Sequence, residues 1–271
     1  MLPLHLPAMR AMTKREIAEF YRRLAETRPI PRTELEFINP FTLLVAVVLS
    51  AQATDVGVNK ATPALFALAD TPAKMLALGE ARITELIRTI GLFRTKAKNL
   101  VALSRILVER HDGTVPRQRE ALEALPGVGR KTANVVLNTA FGEPTMAVDP
   151  HIFRVANRTG LAAGKTPLQV EMALEKRTPP AYKANAHHWL ILHGRYVCKA
   201  RKPECPDCVV ADLCHYQAKT GPAELIAARV SAAAPEVLAD PPTARQGRGA
   251  AAPKSAVSPR RGRQPRPARP T

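Results

Sequence analysis

The chain has 271 residues, enough for one large domain or two modest ones with a sizeable core. Lys and Arg number 40 against 23 Asp and Glu, a formal net charge of +17. That balance disfavours a cationic ligand and favours a polyanion, either nucleic acid or an anionic membrane surface. The membrane is the weaker option. The longest apolar run, 43–51, is about half the ~20 residues a spanning helix needs. The N-terminus is Pro-rich and carries no export-signal pattern, so a cytoplasmic protein is expected. Aromatics are only 4% of residues, so the core rests on Leu, Val, Ile and Ala. All four cysteines fall between 198 and 214, a clustering that points to metal rather than to disulfides.

In chain order, residues 1–12 read as a flexible N-terminus. Helical spacing then recurs. Ile17, Phe20, Tyr21 and Leu24 fall at i, i+3, i+4, i+7, as do Ile83, Leu86, Ile87 and Ile90. Ala133, Val136, Leu137 and Ala140 repeat the pattern, and so do Ala186, Trp189, Leu190 and His193. Residues 41–51 are apolar nearly all round and suit a central buried helix. Turn signals such as Asn39-Pro40, Pro126-Gly127 and Asp149-Pro150 separate these segments. No sustained period-2 alternation occurs. The expected fold is all-α, with roughly ten short helices. From Ala223 the chain turns Ala/Pro/Arg-rich. Residues 241–271 hold seven Arg, one Lys and no acid, which is +8 of the +17. Such a tail lacks the apolar surface to offset ordering entropy, so residues 221–271 are expected to be a disordered basic tail. It is either a solubilising appendage or a non-specific nucleic-acid tether.

Four features carry chemistry. Leu125-Pro-Gly-Val-Gly-Arg-Lys-Thr-Ala133 ends one helix and starts another across a glycine hairpin. Gly127 and Gly129 allow close backbone approach, and the new helix start favours an anion, so the segment reads as a helix–hairpin–helix phosphate clamp in which Gly127, Gly129 and Arg130 are expected DNA contacts. Lys131 lies near that helix start beside Arg130. Dipole and neighbour both disfavour a charged ammonium there and favour an attacking amine, although a Lys in such a loop is more often a phosphate contact. Asp149-Pro150 reads as a helix N-cap followed by Pro at the first position. The cysteines Cys198, Cys205, Cys208 and Cys214 are spaced C-x6-C-x2-C-x5-C. Zinc or a [4Fe–4S] cluster would satisfy four thiolates, and the wide, unequal gaps suit the larger body. Lys199, Arg201 and Lys202 lie in the first cysteine loop, where they can offset an anionic cluster and face a phosphate backbone.

Together these segments resemble the endonuclease III family of helix–hairpin–helix DNA glycosylases. The resemblance runs from about Lys14 to Lys219. It rests on Ser50-Ala-Gln-Ala-Thr-Asp55, Thr89-Ile-Gly-Leu92, 125–134, Ala147-Val-Asp149, His151–Val155, His187–Arg195 and the four cysteines. It implies two helical lobes with a DNA groove between them. One is a six-helix lobe over 33–143; the other joins 13–32 to 144–220 and carries a [4Fe–4S] cluster on the four cysteines. It implies that Lys131 is the nucleophile on C1′, that Asp149 assists, and that Gln52 and Leu92 enter the duplex where a base is flipped out. The partner implied is double-stranded DNA with oxidised pyrimidines or abasic sites, met by a monomer associated with the bacterial nucleoid. Pro150 stands where the family commonly has Thr, and the basic tail has no counterpart in the family core. An adenine-removing relative would lack Lys131. A non-enzymatic DNA-binding module would need neither Lys131 nor Asp149.

Overall fold

The computed structural model describes residues 10–221; the expected flexible residues 1–9 and the tail 222–271 lie outside the described residues. Ten α-helices and two short 3-10 turns form the regular structure, with no strand among the described residues. They are α1 (Lys14–Thr27), α2 (Pro40–Ser50), α3 (Asp55–Leu68), α4 (Pro72–Leu86) and α5 (Phe93–Arg110). Then follow α6 (Arg119–Glu123), α7 (Arg130–Phe141), α8 (Pro150–Thr159), α9 (Pro167–Arg177) and α10 (Lys183–Tyr196). Six of them start on a side-chain cap: Thr13, Asn39, Thr54, Thr71, Asp149 and Thr166. Pro follows the cap in α2, α4, α8 and α9, where its missing N–H is an orphan anyway. α4 breaks at Gly79, whose φ is 77°. No helix among the described residues is long and apolar enough to cross a membrane.

Two hydrophobic cores divide this chain of helices. The first is built from α2 to α7. Its centre is α2, apolar on every face, with Leu43, Leu44, Val45 and Leu49 fully buried against α3, α5 and α7. The second collects Ile17, Phe20, Tyr21 and Leu24 of α1, Ile152 and Val155 of α8, Val170 and Leu174 of α9, and Trp189 and Leu190 of α10. The chain therefore begins the second lobe, leaves it to build the first, and returns. Trp189 Nε1 donates to the Arg28 carbonyl at 2.8 Å, fixing where α1 hands over to the linker. Met12, expected to fall in a flexible N-terminus, is instead docked. Met12 is buried in the second core, and its N–H donates to the Gly160 carbonyl at 2.9 Å.

The return segment, residues 143–149, positions the site. It runs back along α7 and is tied to it by two buried asparagines. Asn138 Nδ2 donates to the Glu143 carbonyl at 2.9 Å and, one turn earlier on the helix, Asn134 Nδ2 donates to the Met146 carbonyl at 3.0 Å. Thr145 Oγ1 donates back to the Asn134 carbonyl at 2.7 Å. Continued by three residues, this antiparallel course carries Asp149 toward the start of α7, where Lys131 sits.

Candidate active site and iron–sulfur centre

The glycine hairpin is built as its sequence predicts. Gly127 has φ +80°, and a Cβ there would lie 2.8 Å from Asn99 Nδ2, so both conformation and space demand glycine. Gly129 stands at the N-cap of α7 with open space around it and no side-chain cap. The first amides of α7 are thus unoccupied by any side chain and point outward with the positive end of the helix dipole. An exposed Lys131 follows in the first turn. Arg130, expected beside it as a phosphate contact, directs its guanidinium to Glu171 of α9 instead, with Nη2–Oε1 at 2.7 Å.

Asp149 is buried, 6% exposed, and its Oδ1 accepts from the Ile152 amide at 2.8 Å. One carboxylate oxygen is thereby fixed as the α8 cap. Pro150 occupies the first position of that helix without disturbing it.

Between the lobes lies a cavity of about 130 Å³. One water needs only about 10–15 Å³ on the same measure, so the space holds several waters or a flat ring. Lys131 lines it, with Ser50, Asp55, Thr139, His187 and Arg195. Arg195 Nη1 donates to Asp55 Oδ2 at 2.6 Å and also bonds Glu34, whose other oxygen accepts from the Tyr196 hydroxyl. Burial opposes ionisation of Glu34, but Tyr196 and Arg195 prevail and hold its carboxyl below the usual range. Thr139 Oγ1 and His187 Nδ1 are buried without a hydrogen-bond partner among the described residues. These cavity residues were not legible as a site in the sequence; they come from α2, α3, α7, α10 and the linker. His187 is pushed down from 6.5 to about 3, first by burial and then by His188, Lys131 and Arg195. A depressed histidine stabilises the fold fully above pH 6.5 and loses that contribution as pH falls toward 3, because only the unfolded ring takes the proton. The denaturant midpoint should therefore decline below pH 6.5, and less steeply in His187→Gln; an unchanged slope in that variant would assign the decline elsewhere.

Gln52 and Leu92 are brought together. A Cβ on Gly91 would lie 3.8 Å from the Gln52 carbonyl. Lys96 Nζ, from the first turns of α5, reaches the Leu49 carbonyl at the end of α2 at 2.8 Å, joining the two loops from beneath. Both residues are exposed, Leu92 by 59%, and both have left-handed φ, 56° and 59°. Only Asp112 shares that backbone among the described non-glycine residues. A left-handed, solvent-exposed leucine is unfavourable on both counts, and such strain gathers at functional sites.

The four cysteines line one pocket with His193 and Thr159. No three His, Cys, Asp or Glu among the described residues converge closely enough for a single ion. Sulfurs on one zinc would stand about 3.8 Å apart, given ~2.3 Å Zn–S bonds. Four thiols sharing one pocket are a donor set that a [4Fe–4S] cluster can take. Burial first, then the neighbouring thiols, push Cys208 up to about 12, and burial raises Cys214 as well, so a bound metal's charge would favour these two as thiolates. Arg158 props the loop, donating from Nη1 to the Lys199 carbonyl at 2.7 Å and from Nη2 to the Ala200 carbonyl at 2.8 Å. On that loop Arg201 and Lys202 are exposed, and Lys199 pairs with Glu204 at 2.8 Å.

A chain that offers bare helix amides to a phosphate, and an amine to a cavity the size of one ring, has the parts to act on a base turned out of the duplex. That is the class of helix–hairpin–helix DNA glycosylases. The model of the HhH-GPD superfamily of base excision DNA repair proteins matches residues 45–180, and the iron-sulfur binding domain of endonuclease III matches 198–214. Endonuclease III of Escherichia coli strain K12 is 60% identical over 208 residues, 77% of this chain and 99% of that protein. The Haemophilus influenzae protein of that name is 59% identical over the same shares. A solved structure of a trapped endonuclease III–DNA covalent intermediate superposes with a TM-score of 0.70 at 45% identity, covering 75% of this chain and 96% of that one. The chain belongs to the endonuclease III family, base-excision-repair DNA glycosylases with AP lyase activity that carry a [4Fe–4S] cluster.

Proposed function

We propose that this chain excises oxidised pyrimidines from duplex DNA and then cuts the strand 3′ to the abasic site, with Lys131 as nucleophile and Asp149 as its helper. The observation that carries the reading is the placement of Lys131. It stands in the uncapped first turn of α7, over the interlobe cavity, with the return segment leading Asp149 toward it. The neutral Lys131 amine attacks C1′. The bond from C1′ to the base breaks, and the base leaves with its bonding electrons and takes up a proton. The sugar ring then opens and C1′ becomes an iminium carbon on Lys131 Nζ. Loss of a proton from C2′ expels the 3′ phosphate by β-elimination. Asp149, held rigid as a cap, stabilises positive charge as it develops on the sugar and relays a proton. The hairpin amides at Gly127 and Gly129 and those of the first turn of α7 grip the adjacent phosphate. Gln52 and Leu92 fill the gap in the stack, and their strained backbone keeps them aimed outward. Lys199, Arg201 and Lys202 follow the backbone on the cluster loop. When bound, the [4Fe–4S] cluster cross-links that loop and contributes folding energy. All these parts come from one chain, which acts as a monomer on the nucleoid. The covalent intermediate captured for the solved relative supports the Lys131 route. Duplexes carrying thymine glycol, an abasic site, or adenine opposite oxidised guanine test the reading. The first two should be cut and the third left whole; cleavage of the third alone would place the chain elsewhere in the superfamily.

The basic stretch 241–271, +8 by itself, acts as a tether on undamaged DNA. Each phosphate neutralised contributes about −0.9 to the slope of log K against log salt. Truncation after Gly221 should weaken binding to plain duplex and flatten the slope, with cutting of damaged sites at low salt retained. An unchanged slope would remove the tether role.

A further inference from the structure

The start of α7 is left open, with no side-chain cap, and an uncapped first turn frays unless something else holds it. The hold comes from the other lobe. Arg130 Nε donates to Glu171 Oε1 at 2.9 Å and to Oε2 at 3.2 Å, and Nη2 donates to Oε1 at 2.7 Å. Glu171 is 4% exposed and sits on α9 between Val170 and Leu174, both in the second core. The preceding helix is drawn in as well: Glu123 of α6 approaches Arg130 Nη1 at 3.9 Å, and Arg119 approaches Glu175 of α9 at 3.9 Å. Both arms of the hairpin are thus strapped to α9. α9 in turn packs on α8, whose first residue follows Asp149. A continuous path runs from Lys131 through Arg130, Glu171, α9 and α8 to Asp149.

We propose that Arg130 is a positioning residue: its pair with Glu171 holds the first turn of α7 and sets the geometry of Lys131 against Asp149, and Arg130 does not bind phosphate. The proposal rests on Lys131 as nucleophile. The Nε and Nη2 edge of the fork is already taken by both oxygens of a buried carboxylate, whose charge offsets the attraction an incoming phosphate would feel. Burial of Glu171 gives the pair a fixed direction, which surface pairs lack. Lys131, the next residue, inherits that direction. A reacting group displaced by about 1 Å can lose on the order of 10²-fold in rate.

Arg130→Gln combined with Glu171→Gln removes the charges without leaving a buried carboxylate unpaired. Single-turnover base release and borohydride trapping should fall by about 10- to 100-fold. Affinity for undamaged duplex and its salt slope should not change. Arg130→Lys, which keeps one ion pair, should recover part of the rate. A slope reduced by about 0.9 makes Arg130 a phosphate contact and overturns the proposal. An unchanged rate with a lowered melting temperature makes the pair structural only, and overturns it too. If the double variant does not fold, Glu171→Gln alone is read by the same criteria. Failure of the wild-type protein to form an adduct at Lys131 would instead sink the nucleophile assignment, so the two readings fail separately.

Discussion

Lys131→Gln should abolish strand cleavage and the covalent adduct that borohydride traps during turnover, while binding to damaged duplex survives. Gln is a fair helix former and Lys131 is exposed, so the fold has no reason to change. On the proposed reading the grip on DNA resides in the α7 amides and in the Gln52 and Leu92 loops, which the substitution leaves in place. What disappears is the one amine over the interlobe cavity. Asp149→Asn should behave differently. Asn also caps helices well, so the Ile152 amide keeps an acceptor and stability changes little. Base release should slow by about 10²- to 10⁴-fold, the usual range for a positioned acid–base group. An undiminished adduct in Lys131→Gln would mean that another amine attacks.

Cys205→Ser should cost the protein its yellow-brown colour and much of its stability. The second core is closed at one end by Val210, which belongs to the cysteine loop. Without four ligands the loop loses its cross-link, and Val210 loses the frame that keeps it buried. Stabilities of whole proteins are only about 5–15 kcal/mol, and a metal centre supplies a large share of that in a lobe this small. The denaturant midpoint should drop, with binding to plain duplex weakened because Arg201 and Lys202 ride on the same loop. Colourless wild-type protein with one zinc per chain would contradict the cluster.

The features legible in the sequence are those encoded by neighbours. The hairpin glycines, the Asp149-Pro150 helix start, the all-apolar α2 and the cysteine spacing each lie within a short window, where local geometry dictates residue type. Features assembled across the fold were not legible. Arg130 looks like a phosphate ligand until Glu171, 41 residues on, is brought against it. Asp55 and Arg195 are 140 residues apart and meet only once the lobes close. Met12 lies outside the helical spacing of α1, and its docking is explained by partners far along the chain, the Gly160 carbonyl that accepts from its N–H and the Arg177 guanidinium that bonds its carbonyl. Gln52 and Leu92 carried no physical signal of their own in the sequence, since nothing there shows a left-handed backbone. The family resemblance supplied them, and the strain gives them a physical reason.

The second lobe is written on both sides of the first. A ribosome releases α1 first, with Ile17, Phe20, Tyr21 and Leu24 facing partners that do not yet exist. Those partners in α8 to α10, and the last thiol at Cys214, emerge roughly 10–40 s later at ordinary elongation rates. Meanwhile the first lobe is a contiguous stretch and can close on itself as it emerges. The amine of Lys131 is thus made before the carboxylate of Asp149 has anything to rest on, and iron can only be loaded once synthesis has passed the whole site. Cluster insertion becomes a checkpoint on translation through Cys214: a nascent chain stopped short of that thiol can form the hairpin, but it lacks the fourth ligand of the metal that closes the lobe behind it.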